Sequence, residues 1–321
     1  MHATAKAHPI QGLVKYHGMR DPELRYPYHD SISVCTAPSH TKTTVSFETD
    51  EEAYVVDGET VTGRGAERIE SVLDRVRELA GIDRPTRVES ENSFPTNVGF
   101  GSSSSGFAAL AMAAADAAGL ELTRPEVSTI ARRGSASAAR AVTGGFSVLY
   151  SGKNDEDCRA ERLETDLDEE LHVVAALVST YKETETAHAE ATESHMFDAR
   201  MAHMHEQMDE MRDALRAADF GRAFELAERD TLSLAATTMT GPSAWVYWQP
   251  RTIEVFNAVR QLRSEGIEAY FSGDTGASVY VNTTGEHVEE VVETITDLGI
   301  ETRHWTVGGP ARILDDDQAL F

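Results

Sequence analysis

Ser93-Phe94-Pro95-Thr96-Asn97-Val98-Gly99-Phe100-Gly101-Ser102-Ser103-Ser104-Ser105-Gly106-Phe107-Ala108-Ala109-Leu110 is the stretch on which the reading of this chain turns. It follows an alternating run, Val88-Glu89-Ser90-Glu91, that reads as a short strand. It closes into an alanine-rich apolar run that stops at Gly119 and reads as a helix. Strand, glycine-serine loop and helix N-terminus together make an anion site. The first helical N–H groups lack an intrahelical partner, and the helix dipole places partial positive charge there. Glycines let the backbone approach a phosphate closely, and serine hydroxyls add donors or reach a magnesium ion. A flexible linker is the competing reading of four serines in isolation. Phe94-Pro95 on one side and Phe107, Leu110 and Met112 on the other argue against it, because they pin both ends. No Gly-Lys-Ser/Thr follows, so this is not a Walker A loop, and the dinucleotide spacing Gly-x-Gly-x-x-Gly is absent.

Pro95-Thr96-x-x-Gly99-x-Gly101-Ser102-Ser103-x-x-Gly106 resembles the second motif of the GHMP kinases, the superfamily of galactokinase, homoserine kinase and mevalonate kinase. The flanking Glu91-Asn92-Ser93-Phe94-Pro95-Thr96 and Ser105-Gly106-Phe107-Ala108-Ala109-Leu110 look narrower, like the diphosphomevalonate decarboxylase branch. The resemblance implies an α+β fold of two domains, with ATP on the first and the acceptor closed between them. It assigns ATP phosphates to Gly99, Gly101, Ser102, Ser103, Ser104, Ser105 and Gly106, with Ser103 a magnesium contact through ATP.

Bulk properties bound the answer. The chain has 321 residues, enough for two domains, and 40% hydrophobic residues, enough for a core. No apolar run approaches the ~18–20 residues that span a bilayer, and the first residues carry no signal region. The expectation is a soluble, cytoplasmic protein. Cys35 and Cys158 have no metal or disulfide spacing. A net charge of -25, from 54 acidic and 29 basic residues, argues against nucleic acid and acidic membranes as partners. Acidic residues are spread along the chain and lysine is scarce against arginine. That reads as a halophilic surface, where salt screens self-repulsion, with an ordinary acidic enzyme as the alternative.

Three further segments carry candidate chemistry. In Val14-Lys15-Tyr16-His17-Gly18-Met19-Arg20, Lys15 lies inside an apolar run, where a lysine is costly unless paired. The segment resembles the decarboxylase motif Leu-Lys-Tyr-Trp-Gly-Lys-Arg, with His17 for the tryptophan and Met19 for the second lysine. Gly134-Ser135-Ala136-Ser137-Ala138-Ala139-Arg140 resembles the same family's Gly-Ser-Gly-Ser-Ala-Cys-Arg. Arginine grips a carboxylate through two parallel hydrogen bonds, and in the family the matching arginine holds the substrate carboxylate. Ser272-Gly273-Asp274-Thr275-Gly276 follows an apolar run and looks like the family's turn bearing the catalytic aspartate. A turn aspartate bonding its own backbone is the local alternative. The resemblance thus assigns Asp274, Lys15 and Arg140 to catalysis, and Tyr16, Ser135, Ser137, Arg140 and Ser194 to substrate. His17 and His29 read as a polar pocket without metal spacing.

The rest is organisation. Residues 41–48 and 52–56 read as a hairpin, with Asp57-Gly58 a turn. Residues 66–81 read as an amphipathic helix with Ile69, Val72, Leu73, Val76 and Leu79 on one face. Phe197, Met201, Met204, Met208, Met211, Leu215 and Ala218 form one apolar stripe on a long helix. Residues 237–247 read as a connecting loop. Leu171 to Val178 reads as a buried strand, and the domains divide there, 1–170 from 171–321. The activity implied by the resemblance is ATP- and magnesium-dependent decarboxylation of a phosphorylated mevalonate, a small-molecule substrate, in isoprenoid synthesis. Met19 and the saline composition favour 5-phosphomevalonate, giving isopentenyl phosphate. Diphosphomevalonate, or a kinase reaction without decarboxylation, is the alternative, and a homodimer is left open.

Overall fold

The computed structural model describes residues 2–94, 101–179 and 188–321. Its first sheet runs in the order Arg312–Leu314, His2–Ala7, Thr41–Ser46, Arg87–Asn92, Ala53–Val56, Glu59–Thr60. Ala3, Ala5, Ala7, Val45 and Val88 face a core shared with three helices, Arg64–Ala80, Ser102–Ala117 and Arg124–Gly134. Alternate residues point to the same face of a strand, so small alanines let the serine-led helix lie close on His2–Ala7. Local signals set the helix ends. Gly81 takes a left-handed φ of 65° after Ala80. Thr123 and Glu126 form a capping box, worth about 1 kcal/mol.

The expected hairpin is rearranged. Thr41–Ser46 does not pair with Ala53–Val56; it lies between His2–Ala7 and Arg87–Asn92. Ala53–Val56 runs parallel to Arg87–Asn92, and Asp57-Gly58 instead turns the chain into Glu59–Thr60. Both turn residues have positive φ, 51° and 81°, which suits a tight hairpin turn.

The second sheet runs in the order Ala160–Arg162, Phe146–Leu149, Ser31–Ala37, Thr302–Val307, Leu171–Ala176, Val279–Thr284, Ala269–Ser272, with Ile10–Val14 also paired to Ser31–Ala37. Leu171, Val173 and Ala175 face one core with the long helices Phe197–Arg216 and Phe220–Met239. Val174 and Ala176 face another, with helices Pro250–Ser264 and Val288–Asp297. Burial on both faces explains why this strand is apolar without alternation. Thr302–Val307 bonds to Ser31–Ala37, and Arg312–Leu314 returns to the first sheet, so early and late segments share strands.

Residues 237–239, expected in a loop, complete the second long helix. Leu79 is exposed rather than on the buried face, and Met201 is only half-buried, whereas Met204, Met208 and Met211 are core. Among the described residues no helix is long and apolar enough to cross a membrane.

Candidate active site

Gly101 ends the serine loop in a left-handed conformation, φ 70°, and caps the helix Ser102–Ala117. A Cβ there would lie 3.1 Å from the Ile10 carbonyl oxygen, so Gly101 itself presses against the Ile10–Val14 strand. The four serines then divide. Ser104 Oγ accepts the Ile10 N–H at 3.1 Å and donates to Gly101 O at 2.6 Å. Ser105 Oγ is 2.7 Å from Thr41 Oγ1. Both are buried, and their hydroxyls fasten the helix to the sheet. Ser103 is exposed and Ser102 half-buried at the open N-terminus. A Cβ on Gly106 would meet nothing among the described residues within 4 Å. Gly99 lies outside the described residues.

Two residues along the same strand, about 7 Å from Ile10 by strand geometry, Gly12 lies against the other half of the site. A Cβ on Gly12 would be 2.7 Å from Lys15 Cγ and 2.8 Å from Asp274 Oδ1. Glycine here lets the strand, the lysine and the aspartate come together. Asp274 follows the strand Ala269–Ser272, and its Oδ2 accepts from the Tyr280 hydroxyl at 3.4 Å. Burial, then the nearby Asp274 charge, pushes the Tyr280 phenol well above its usual range. Lys15 is buried and donates through Nζ to Asp230 Oδ2 at 3.4 Å and Thr231 Oγ1 at 3.2 Å. Burial lowers its pKa, and the Asp230 and Asp274 charges oppose that fall.

Arg140 closes a third side. It lies on the short helix Ala138–Thr143, directly after Ser135 and Ser137, whose hydroxyls are 2.8 Å apart. Its guanidinium carbon lies 5.5 Å from the centre of the Tyr16 ring. The residue is 2% exposed, and its Nε and Nη1 have no hydrogen-bond partner among the described residues. Burial lowers its pKa, while Tyr16 and Asp274 favour its charge. Buried donors are almost always satisfied. A guanidinium left open in this way can take an anion, and a carboxylate matches its fork in shape and charge.

Ser194 is engaged otherwise. Its Oγ is 2.6 Å from Thr240 Oγ1 and accepts the Met196 N–H at 3.1 Å, so it joins the start of one long helix to the end of the next. His17 and His29 are both buried, and burial lowers both pKa values, His29 to about 4. Among the described residues no group of three His, Cys, Asp or Glu side chains could hold a metal.

Asp230, Thr231, Arg200, Gly12 and Tyr280 were not expected at the site. The sequence does carry a signal for two of them. Asp230 falls at helical spacing among Phe220, Ala223, Phe224, Ala227 and Leu234, and Arg200 among Phe197, Met204 and Met208. A charge inside an apolar stripe needs a partner.

A diphosphomevalonate decarboxylase-like N-terminal domain family matches residues 7–160, and a mevalonate 5-diphosphate decarboxylase C-terminal domain family matches residues 172–307. A phosphomevalonate decarboxylase of Haloferax volcanii is 72% identical over 324 residues, covering 100% of both chains. A diphosphomevalonate decarboxylase of Saccharomyces cerevisiae is 29% identical over 295 residues, 83% of this chain and 74% of its own. Among solved structures, mevalonate diphosphate decarboxylase from Staphylococcus aureus superposes with a TM-score of 0.93 at 27% identity, covering 98% of each chain. MDDEF in complex with MVAPP, AMPPCP and magnesium gives 0.92 at 28% identity, covering 98% of this chain and 99% of its own.

Proposed function

The chain belongs to the diphosphomevalonate decarboxylase family of ATP-dependent enzymes, and we propose that its own substrate is 5-phosphomevalonate, converted to isopentenyl phosphate, ADP, phosphate and carbon dioxide. The observation that carries the chemistry is Arg140, a buried guanidinium with open donors beside Tyr16. It holds the substrate carboxylate, with Ser135, Ser137 and Tyr16 lining the same side. Asp274 orients the tertiary 3-hydroxyl and takes its proton as the phosphoryl group arrives. Lys15, held close to Asp274, offsets negative charge on the transferred group. Gly101, Ser102 and Ser103 present backbone N–H groups and open hydroxyls to the ATP phosphates. Magnesium, carried with ATP and reached by Ser103, neutralises phosphate charge when bound. Arg140 keeps the carboxylate fixed while phosphate leaves and the carbon–carbon bond breaks to release carbon dioxide.

The choice of the monophosphate is supported by the cations near the substrate. Met19 stands where the decarboxylase motif carries a second lysine, and it packs, as Tyr16 does, against the apolar cluster of Tyr26, Ala136, Ala139, Leu149, Cys158 and Ala160. Arg20 donates to the carbonyls of Ser151 and Gly152. The Haloferax relative carries the same substrate in its name. The test offers purified protein ATP, magnesium and each phosphorylated mevalonate in turn, in high potassium chloride. The expected result is ADP and carbon dioxide in equal amounts from 5-phosphomevalonate. Turnover of diphosphomevalonate alone would overturn the substrate, and ADP without carbon dioxide would favour the kinase reading.

A further inference from the structure

Asp230 and Arg200 form a deeply buried ion pair behind Lys15, and Asp230 meets the lysine directly. Asp230 is 0% exposed and Arg200 2%. Charges so placed are costly unless every lone pair and proton is matched. Asp230 Oδ2 accepts the Lys15 backbone N–H at 2.9 Å as well as Lys15 Nζ. Its Oδ1 accepts Arg200 Nη2 at 2.8 Å, and that same nitrogen donates to the Lys15 carbonyl at 2.6 Å. Both polar groups of the Lys15 backbone and its ammonium are therefore gripped by one carboxylate and its arginine. The next residue extends the grip. Thr231 Oγ1 accepts from Lys15 Nζ and, at 3.2 Å, from the Gly273 N–H, while donating to Ala227 O at 2.9 Å. Gly273 immediately precedes Asp274. One turn of the helix Phe220–Met239 thus holds both the cation and the turn that carries the carboxylate.

We propose that Asp230 and Thr231 are positioning residues for phosphoryl transfer, keeping Lys15 an ammonium and setting its place relative to Asp274. The proposal rests on the roles given to Lys15 and Asp274 above. Its electrostatics follow from the groups around the amine. Asp230 and Asp274 favour the charged form, while burial and Arg200 disfavour it. Tyr280 and Arg140 bear on Asp274, and His17 and His29 bear on Arg200. Removing the Asp230 charge leaves Lys15 facing Arg200 with one carboxylate fewer. Its proton is then lost at lower pH, so the alkaline limb of the rate profile moves towards neutrality.

The lysines are Lys6, Lys15, Lys42, Lys153 and Lys182. Carbon-13 labelling at the lysine ε position therefore gives a sparse spectrum, in which Lys15→Arg identifies the Lys15 signal. In the intact chain that signal should titrate below the ordinary lysine value, and in Asp230→Asn lower again by about one pH unit or more. The alkaline limb of kcat/KM should shift with it, and Asp230→Glu should restore part of both. Thr231→Val, which keeps the shape, should lower kcat about 10–100-fold with the KM for ATP unchanged, as small misplacements of reacting groups do. An unchanged Lys15 titration in folded Asp230→Asn, or wild-type kcat in Thr231→Val, overturns the proposal. Should Asp230→Asn not fold, Thr231→Val decides. The Lys15 titration does not depend on turnover, so an intact chain that fails to release carbon dioxide counts against the proposed function and leaves the charge assignment readable.

Discussion

Gly12 and Asp274 show how closely single atoms are matched at this site. A methyl group on Gly12 would come within 3 Å of both Lys15 Cγ and Asp274 Oδ1, closer than real Cβ contacts run. Gly12→Ala should therefore move the pair and cut kcat by about 10²-fold, while ATP affinity stays near wild type, because the helix start contacts the strand at Ile10 instead. Steady-state kinetics with ATP varied would check it, and an unaltered kcat would show that the strand yields without disturbing the pair. Asp274→Asn keeps the shape and loses the charge. It should lower turnover about 10²–10⁴-fold with ATP binding little changed. Full activity in that variant would remove Asp274 from the mechanism.

At the scale of the element, the serine-led helix performs two tasks with one run of residues. Ser104 and Ser105 turn inward and tie it to two strands, whereas Ser103 is open at its positive end. The two tasks should separate by mutation. Ser104→Ala leaves the buried Ile10 N–H without its acceptor and should lower the unfolding free energy by about 1–3 kcal/mol. Ser103→Ala should leave denaturant unfolding unchanged and raise the KM for ATP. The opposite pattern would mean that the inward serine, not the outward one, meets the nucleotide. The sheets divide their work in a similar way. The strand Ile10–Val14 meets the helix start at Ile10 and the Lys15–Asp274 pair at Gly12, so one short strand spans both halves of the site.

For the whole molecule, charge is the dominant feature. With 54 acidic against 29 basic residues, self-repulsion opposes the compact state in dilute buffer. Raising the salt shortens the Debye length from about 10 Å at 0.1 M to about 3 Å at 1 M and screens that repulsion. The buried Lys15–Asp230–Arg200 group is screened far less than the surface, since water and ions do not reach it. Thermal unfolding followed by circular dichroism should therefore show the midpoint rising as potassium chloride goes from 0.1 M to 2 M. A midpoint that stays flat or falls would mean that the acidic surface does not limit stability.

What the sequence by itself determined was local in origin. The glycine-serine loop leading into a helix, the stop at Gly81 and the capping box at Thr123 each depend on residues within one or two helical turns. The runs around Lys15, Arg140 and Asp274 are short as well, and they stood out by their resemblance to one family's motifs, since residue type alone left a local reading open for each. Tertiary structure alone decided the partners. Periodicity states which face of a strand is buried, not which strand lies beside it. Residues 41–48 and 52–56 therefore read as a hairpin, while the chain pairs Ala53–Val56 with Arg87–Asn92. Likewise the four serines look equivalent in a row, and only the approach of Ile10 and Thr41 separates the two that hold the fold from those left facing out. Lys15 announced its need for a counter-charge by lying in an apolar run. Its partner Asp230 is 215 residues further along, and only the packing of the second long helix against the Ile10–Val14 strand brings the two together.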